Sequence, residues 1–295
     1  MIIRLQHVGL AIENLEAFSE RWDQLLGLRP GELRRNQGKG FQFDARIMFP
    51  NQCWLHVVQN WNPESRVNRF LRSQGEGLEH LAFETDDIEA DVARLRELGV
   101  PIFQDTIFNA ADGFEAFVYP GDAIGFTVEL IQPHTSSWNF NASNLTNNNV
   151  GGLQHIGVAV GDVRKAAERL EMLFGLVADD LRTDQHHGDQ LDMKVDMGND
   201  RLWLHLVQPT VQNHRVSTFL NQYGEGLEHL CIEVADIRKA VYLPKTAGFA
   251  LEQSKIYLDR PDGFEAFLEA KDTYGVTIEL IEPYPTSRGY RQNGQ

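Results

Sequence analysis

Over residues 5–12, LQHVGLAI, polar side chains interrupt β-forming apolar ones at short intervals, which predicts a strand. Asn14 follows as a candidate helix cap. Leu15, Phe18, Trp22 and Leu25 then recur at near-helical spacing until Gly27 stops the run. Strand-like stretches come next, at 41–49 and 53–59. The order then restarts with a strand at 78–85 and a helix carrying Ile88, Val92, Leu95 and Leu98 that ends at Gly99. Strands near 101–108, 114–119 and 125–131 complete it. Each pass reads strand, helix, then three strands.

The second half repeats the first. GEGLEHL at 75–81 recurs at 224–230, and DGFEAF at 112–117 recurs at 262–267. LQHVGLAI returns as LQHIGVAV (153–160), WLHVVQ (54–59) as WLHLVQ (203–208), and TVELIQP (127–133) as TIELIEP (277–283). The offsets stay between 148 and 150 residues, so one plan has been duplicated. We expect one module at 1–134, an Asn/Ser/Gly-rich linker at 135–152, a second module at 153–287 and a tail at 288–295. Pro244 should kink or shorten the helix it falls in.

Composition narrows the function classes. The chain has 27 Lys+Arg against 42 Asp+Glu, a formal net charge of −15, which repels phosphate backbones and argues against nucleic-acid binding. A hydrophobic share of 42% is enough for real cores, which excludes wholesale disorder. Only Cys53 and Cys231 occur, far apart, so a disulfide scaffold and a thiolate zinc site are excluded. No apolar run has bilayer length and the start lacks a secretory core, so a cytoplasmic protein without membrane partners is expected.

Ten histidines are present, and six fall at matched positions: His7 with His155, His56 with His205, His80 with His229. Glu129 and Glu279 join the matched set. The spacings are 49, 24 and 49 residues in one copy and 50, 24 and 50 in the other. His134, His186, His187 and His214 are unmatched and fall in predicted loops. Each matched residue lies in a different predicted strand, inside an apolar stretch. Imidazoles and a carboxylate sharing one buried cavity are costly without a common partner, and a divalent cation is the natural one. The fold class is therefore read as α+β. Four βαβββ units would form two tandem modules, each a cupped mixed sheet around a metal site built from His7, His56, His80 and Glu129, or from His155, His205, His229 and Glu279.

The segments LQHVGLAI, GEGLEHLAFETDDIEADVARLRELGV and TVELIQP resemble the vicinal oxygen chelate superfamily, which includes glyoxalases, methylmalonyl-CoA epimerases and extradiol dioxygenases. The resemblance implies ligands on the first, fourth, fifth and eighth strands. His7, His80 and Glu129 match the family's His, His and Glu directly, whereas His56 stands where epimerases have Gln and many glyoxalases have Glu. The second copy maps onto His155, His205, His229 and Glu279. If His56 and His205 stay off the ion, a two-His-one-carboxylate face remains, as in non-haem iron oxygenases.

The resemblance implies a divalent ion (Fe, Mn, Co, Ni or Zn), two per chain. The protein would be an isomerase or lyase that stabilises an enolate or enediolate on a small oxygenated substrate. An iron(II) dioxygenase of the extradiol or hydroxyphenylpyruvate type is the alternative, and a ligand-sequestering module ranks third. The expected partner is a small molecule, and the assembly is a monomer or homodimer. A base is also required. The family's epimerases use an inward third-strand glutamate. Counting back from His56 and His205 sets Asp44 against Met193 and Asp192 against Phe43, so no shared third-strand acid is expected. Candidates kept in both copies are Glu115 with Glu265 as catalytic carboxylates, and Arg66 with Arg215 as substrate-binding cations. Glu76, Glu225, Glu79 and Glu228 read as turn and outer-face residues, and Cys231 as a small buried side chain. GEGLEHL precedes a strand, so it is no dinucleotide loop.

Overall fold

The structure, a computed structural model, describes residues 1–28, 30–36, 42–134, 149–183, 189–199, 201–258 and 260–285. The first half contains β1 (Ile2–Ala11), α1 (Leu15–Leu26), β2 (Arg34–Asn36), β3 (Gln42–Met48), β4 (Trp54–Asn60) and α2 (Arg66–Gln74). It continues with β5 (Gly77–Thr85), α3 (Ile88–Glu97), β6 (Phe108–Asn109), β7 (Gly113–Val118) and β8 (Thr127–Pro133). The second half contains β9 (Val150–Ala159), α4 (Val163–Phe174), β10 (Arg182–Thr183), β11 (Gln190–Asp196), β12 (Trp203–Pro209) and α5 (Arg215–Tyr223). It ends with β13 (Gly226–Val234), α6 (Ile237–Ala240), α7 (Tyr242–Thr246), β14 (Gly263–Leu268) and β15 (Thr277–Pro283).

Local chemistry explains these boundaries. Asn14 is extended and its side-chain oxygen accepts from the Ala17 N–H at 3.0 Å, while Gly27 closes α1 at φ 64°. Asp162 and Gly175 do the same for α4. The inner stripe of α1 (Leu15, Phe18, Trp22, Leu25, Leu26) is buried. Pro244 lies in α7, the second of two short helices where α3 runs unbroken. The strand predicted near 101–108 does not form. Gln104 and Asp105 are left-handed at φ 54° and 50°, so the chain turns there, leaving a single bridge from Ile102 to Val118 and the short pair at Phe108–Asn109. Of the predicted linker, residues 135–148 lie outside the described residues, and β9 already begins at Val150. The tail at 288–295 lies outside them too.

Two curled mixed sheets carry the fold, with strand orders β2-β3-β4-β1-β5-β8-β7-β6 and β10-β11-β12-β9-β13-β15-β14. In each, one parallel pair (β5 with β8, β13 with β15) sits beside antiparallel hairpins. This is the expected α+β architecture. No helix among the described residues is long and apolar enough to cross a membrane.

Spatial proximity gathers residues 1–7, 80–139 and 156–228 into one compact unit, and residues 8–79, 140–155 and 229–295 into another. Inside the first, the Arg94 guanidinium donates to the carbonyls of Met172 and Leu173, and Arg169 donates to that of Asp122 at 2.7 Å. The Leu5 N–H donates to the Met197 carbonyl at 3.0 Å. Inside the second, Asn51 donates to the Leu153 carbonyl at 2.6 Å, and the Phe18 and Tyr274 rings lie 4.9 Å apart. Each unit also contains very close backbone approaches at left-handed glycines. Gly125 (φ 85°) faces the Glu225 carbonyl, and Gly275 (φ 76°) faces the Glu76 carbonyl. A Cβ on either glycine would run into that oxygen.

Gly125→Ala and Gly275→Ala should therefore each destabilise the protein by roughly 2–4 kcal/mol, through clash added to left-handed strain. Gly121→Ala, whose Cβ would meet nothing within 4 Å, should cost little. Urea unfolding midpoints of the three variants measure the difference.

Candidate metal centres

The middle of each sheet brings ligand-type side chains together. In the first, β1, β5 and β8 are consecutive neighbours and supply His7, His80 and Glu129. The two Nε2 atoms lie 3.1 Å apart, and Glu129 Oε2 is 3.6 Å from His7 Nε2 and 3.1 Å from His80 Nε2. In the second sheet, β9, β13 and β15 supply His155, His229 and Glu279, at 3.1, 3.3 and 3.4 Å. All six side chains are buried, and the imidazole planes cross at 85° and 86°.

These spacings suit a cation. Nitrogen and oxygen ligands sit about 2.0–2.2 Å from a transition ion, so neighbours in an octahedral or tetrahedral shell stand roughly 2.8–3.6 Å apart. Burial alone would push the Glu129 carboxyl up, but hydrogen bonding and charge from His7 and His80 hold it well below its ordinary range, and so ionised. Gln6 Oε1 lies 3.0 Å from His7 Nδ1, and Gln154 Oε1 lies 3.1 Å from His155 Nδ1. An amide oxygen only accepts. Nδ1 therefore carries the hydrogen, which would leave Nε2 as the ring atom offered to a bound cation.

His56 lies on β4 and His205 on β12. Both residues also meet a buried acid: His56 Nε2 is 3.6 Å from Asp44 Oδ1, and His205 Nε2 is 3.5 Å from Asp192 Oδ1. Arg34 and Arg182 hold those carboxylates at 2.7 and 2.6 Å. Burial opposes ionisation of Asp44, yet His56 and Arg34 bring its pKa to about 2; His205, Arg182 and Lys194 lower that of Asp192.

This corrects the expectation that the copies share no third-strand acid. Arg46 pairs with His56 and Lys194 with His205, which puts Asp44 and Asp192 at the same register two residues back. The hairpin from Asp196 to Trp203 is one residue longer than that from Met48 to Trp54, so counting back across it slipped the alignment. Asp44, Asp192, Gln6 and Gln154 are thus site residues that sequence reasoning missed. The glutamines were visible as the repeated LQH, but nothing marked their side chains as imidazole partners.

The other candidates divide. Phe117 pairs with Glu129 and Glu115 with Ile131, so Glu115 shares the ligand face one pleat beyond Glu129. Glu265 takes the equivalent place by Ile281, and its Oε2 lies 3.5 Å from Arg260 Nε. Glu115 is buried and Glu265 half-buried. Arg66 and Arg215 begin α2 and α5 and form ion pairs with Glu79 and Glu228. Those glutamates are buried at 4% and 5% exposure rather than outward-facing, because each is the counter-charge of an arginine. Glu76 and Glu225 do act as turn residues, accepting from the N–H groups of Glu13 and Gly161. Cys231 is fully buried beside Glu279 in register, 3.7 Å from Gln154 Oε1, and burial pushes its thiol up. Of the unmatched histidines, His214 caps α5 and His134 meets the Ala110 carbonyl; His186 and His187 lie outside the described residues.

The sequence profile of the Glyoxalase/Bleomycin resistance protein/Dioxygenase superfamily matches twice, at residues 6–117 and 154–267. The chain belongs to that superfamily. Human methylmalonyl-CoA epimerase is 30% identical over 134 residues, 45% of this chain and 74% of the epimerase. Ethylmalonyl-CoA/methylmalonyl-CoA epimerase of Cereibacter sphaeroides is 29% identical over 135 residues, 45% of this chain and 99% of that enzyme. Each match is therefore about one module long. A mutant 4-hydroxymandelate synthase from Streptomyces coelicolor overlays 96% of this chain, and 93% of its own, at TM-score 0.70 and 19% identity, which establishes a shared two-module fold.

Two measurements test these centres. Protein purified without chelator should carry about two divalent ions per chain by elemental analysis. His80→Ala should remove one, and His80→Ala with His229→Ala both; unchanged stoichiometry would exclude these ligands. For Asp44, a depressed carboxyl contributes stability above the unfolded pKa near 4 and loses it as pH falls toward 2. The stability gap between wild type and Asp44→Asn should accordingly be full above about pH 4 and shrink between about pH 4 and 2.

Proposed function

We propose that this protein is a divalent-metal-dependent isomerase or lyase. It would remove a proton next to a carbonyl in a small oxygenated acid, ketone or thioester. The observation that carries this reading is the convergence of two imidazoles and a carboxylate at ligand spacing in each sheet. The one-module likeness to epimerases, named for acyl-CoA thioesters, supports the isomerase class. In each module, His7, His80 and Glu129, or His155, His229 and Glu279, would hold the ion. An ion so bound supplies Lewis acidity to a chelated carbonyl, easing formation of an enolate or enediolate.

The chain's own groups then divide the work. Gln6 and Gln154 keep two of the imidazoles in the tautomer that offers Nε2. Asp44, pinned near pKa 2 by His56 and Arg34, is a weak base at neutral pH and is assigned to orienting His56. Glu115 and Glu265, on the ligand face one pleat from Glu129 and Glu279, are assigned as the proton acceptors. Arg66 and Arg215 are assigned to a substrate carboxylate, each reaching it from its ion pair with Glu79 or Glu228. Both cysteines are buried thiols outside any disulfide, which suits the cytoplasm. A second reading, iron(II) oxygenase, is favoured by the two-His-one-carboxylate set with His56 and His205 engaged by acids.

Solvent deuterium should enter a substrate C–H next to the chelated carbonyl, and Glu115→Gln with Glu265→Gln should slow that exchange by about 10²–10⁴. Oxygen uptake by the anaerobically iron-loaded protein, without such exchange, would instead support the oxygenase.

A further inference from the structure

The two modules keep the same ligand set but differ in the wall beside it. In the second module, Phe267 stands opposite Glu279, and Glu265 opposite Ile281. Tyr257 stands opposite Glu265 through backbone bonds of 2.7 and 3.0 Å. Directly opposed residues share a face, so Glu279, Phe267, Glu265 and Tyr257 form one continuous surface. Two cations lie against it. Lys255 Nζ is 4.3 Å from the centre of the Tyr257 ring and the Arg260 guanidinium carbon 4.7 Å, with the Phe267 ring edge-on to Tyr257 at 5.9 Å. In the first module, Phe108 occupies the place of Tyr257 and Phe117 that of Phe267, their rings 6.2 Å apart, with Phe103 6.3 Å from Phe108. Residues 104–112, QDTIFNAAD, contain no Lys or Arg.

We propose that Arg260 is a specificity residue that fits the second module, and not the first, to substrates with an anionic far end. This deepens the functional reading above and rests on it: the vicinal oxygens of the substrate lie at His155, His229 and Glu279. Two residues along a strand span about 7 Å, so Glu265 and its partner Arg260 stand one short acyl chain away from Glu279. Guanidinium presents five donors in a fixed fork, so it can share itself between Glu265 and an incoming carboxylate, and Tyr257 fixes its plane. Lys255 on the same ring adds a second positive charge. The corresponding wall of the first module sets Glu115 among Phe103, Phe108 and Phe117, and residues 104–112 bring no cation to it, which suits an apolar or aromatic far end instead.

The test compares 2-oxoglutarate with 2-oxopentanoate, which have the same chain length and the same vicinal oxygens and differ only in the far carboxylate. Binding is followed by calorimetry on manganese-loaded full-length protein, in which His80→Ala disables the first site or His229→Ala the second. With only the second site intact, 2-oxoglutarate should bind about tenfold or more tighter, the range of a charge-assisted hydrogen bond. Arg260→Met should erase that preference while leaving 2-oxopentanoate binding within about twofold and manganese stoichiometry unchanged; Arg260→Lys should keep part of it. With only the first site intact, the two acids should bind alike. A preference that survives Arg260→Met, an equal preference at the first site, or manganese-loaded protein that binds neither acid would overturn the proposal. Failure to take up manganese at all would instead overturn the metal-dependent reading on which it rests.

Discussion

Two imidazole nitrogens and a carboxylate oxygen are held within 3.1–3.6 Å of one another, deep in a sheet, where burying them without a shared positive charge is costly. That constraint organises each half of the protein. Such groups must sit on neighbouring central strands, because there side chains from distant parts of the chain come close on one face. β1 beside β5 beside β8, and β9 beside β13 beside β15, are the strand orders that meet the requirement. The parallel β5–β8 and β13–β15 pairs leave Glu129 and Glu279 within reach of both imidazoles.

Around that centre, buried acids are set against cations. Asp44 answers Arg34 and His56, Asp192 answers Arg182 and His205, and Glu79 and Glu228 answer Arg66 and Arg215. The repetition of each pairing in both halves speaks against accident, because the copies differ through most of the intervening sequence. A buried ion pair is no simple gain in stability, since desolvation offsets much of its attraction. Its usefulness lies in direction. Once one partner is placed, the other has a single satisfactory position, so α2 and α5 are tied to the strands that carry His80 and His229.

Duplication also allows divergence at fixed geometry. The ligand triads differ by only a few tenths of an ångström, whereas the neighbouring walls carry Phe108 and Phe117 in one half and Tyr257, Lys255 and Arg260 in the other. Ala82 and Cys231 mark a second difference, directly beside Glu129 and Glu279 in register. The central triad and the wall beside it can therefore change separately.

Much of this was legible in one dimension. Periodicity and caps located α1 and α3, the repeat revealed two modules, and the matched histidines and glutamates in separate apolar strands marked side chains that converge in the middle of each sheet. What sequence could not decide was register. A one-residue difference in the hairpin before His205 hid the equivalence of Asp44 and Asp192, since a slip of one residue reverses which face a strand side chain occupies. It also could not say that Glu79 and Glu228 turn inward to arginines, or that Arg260 meets Tyr257 and Glu265. Those are distances between side chains brought together by backbone pairing and turns, and only the folded sheet sets them.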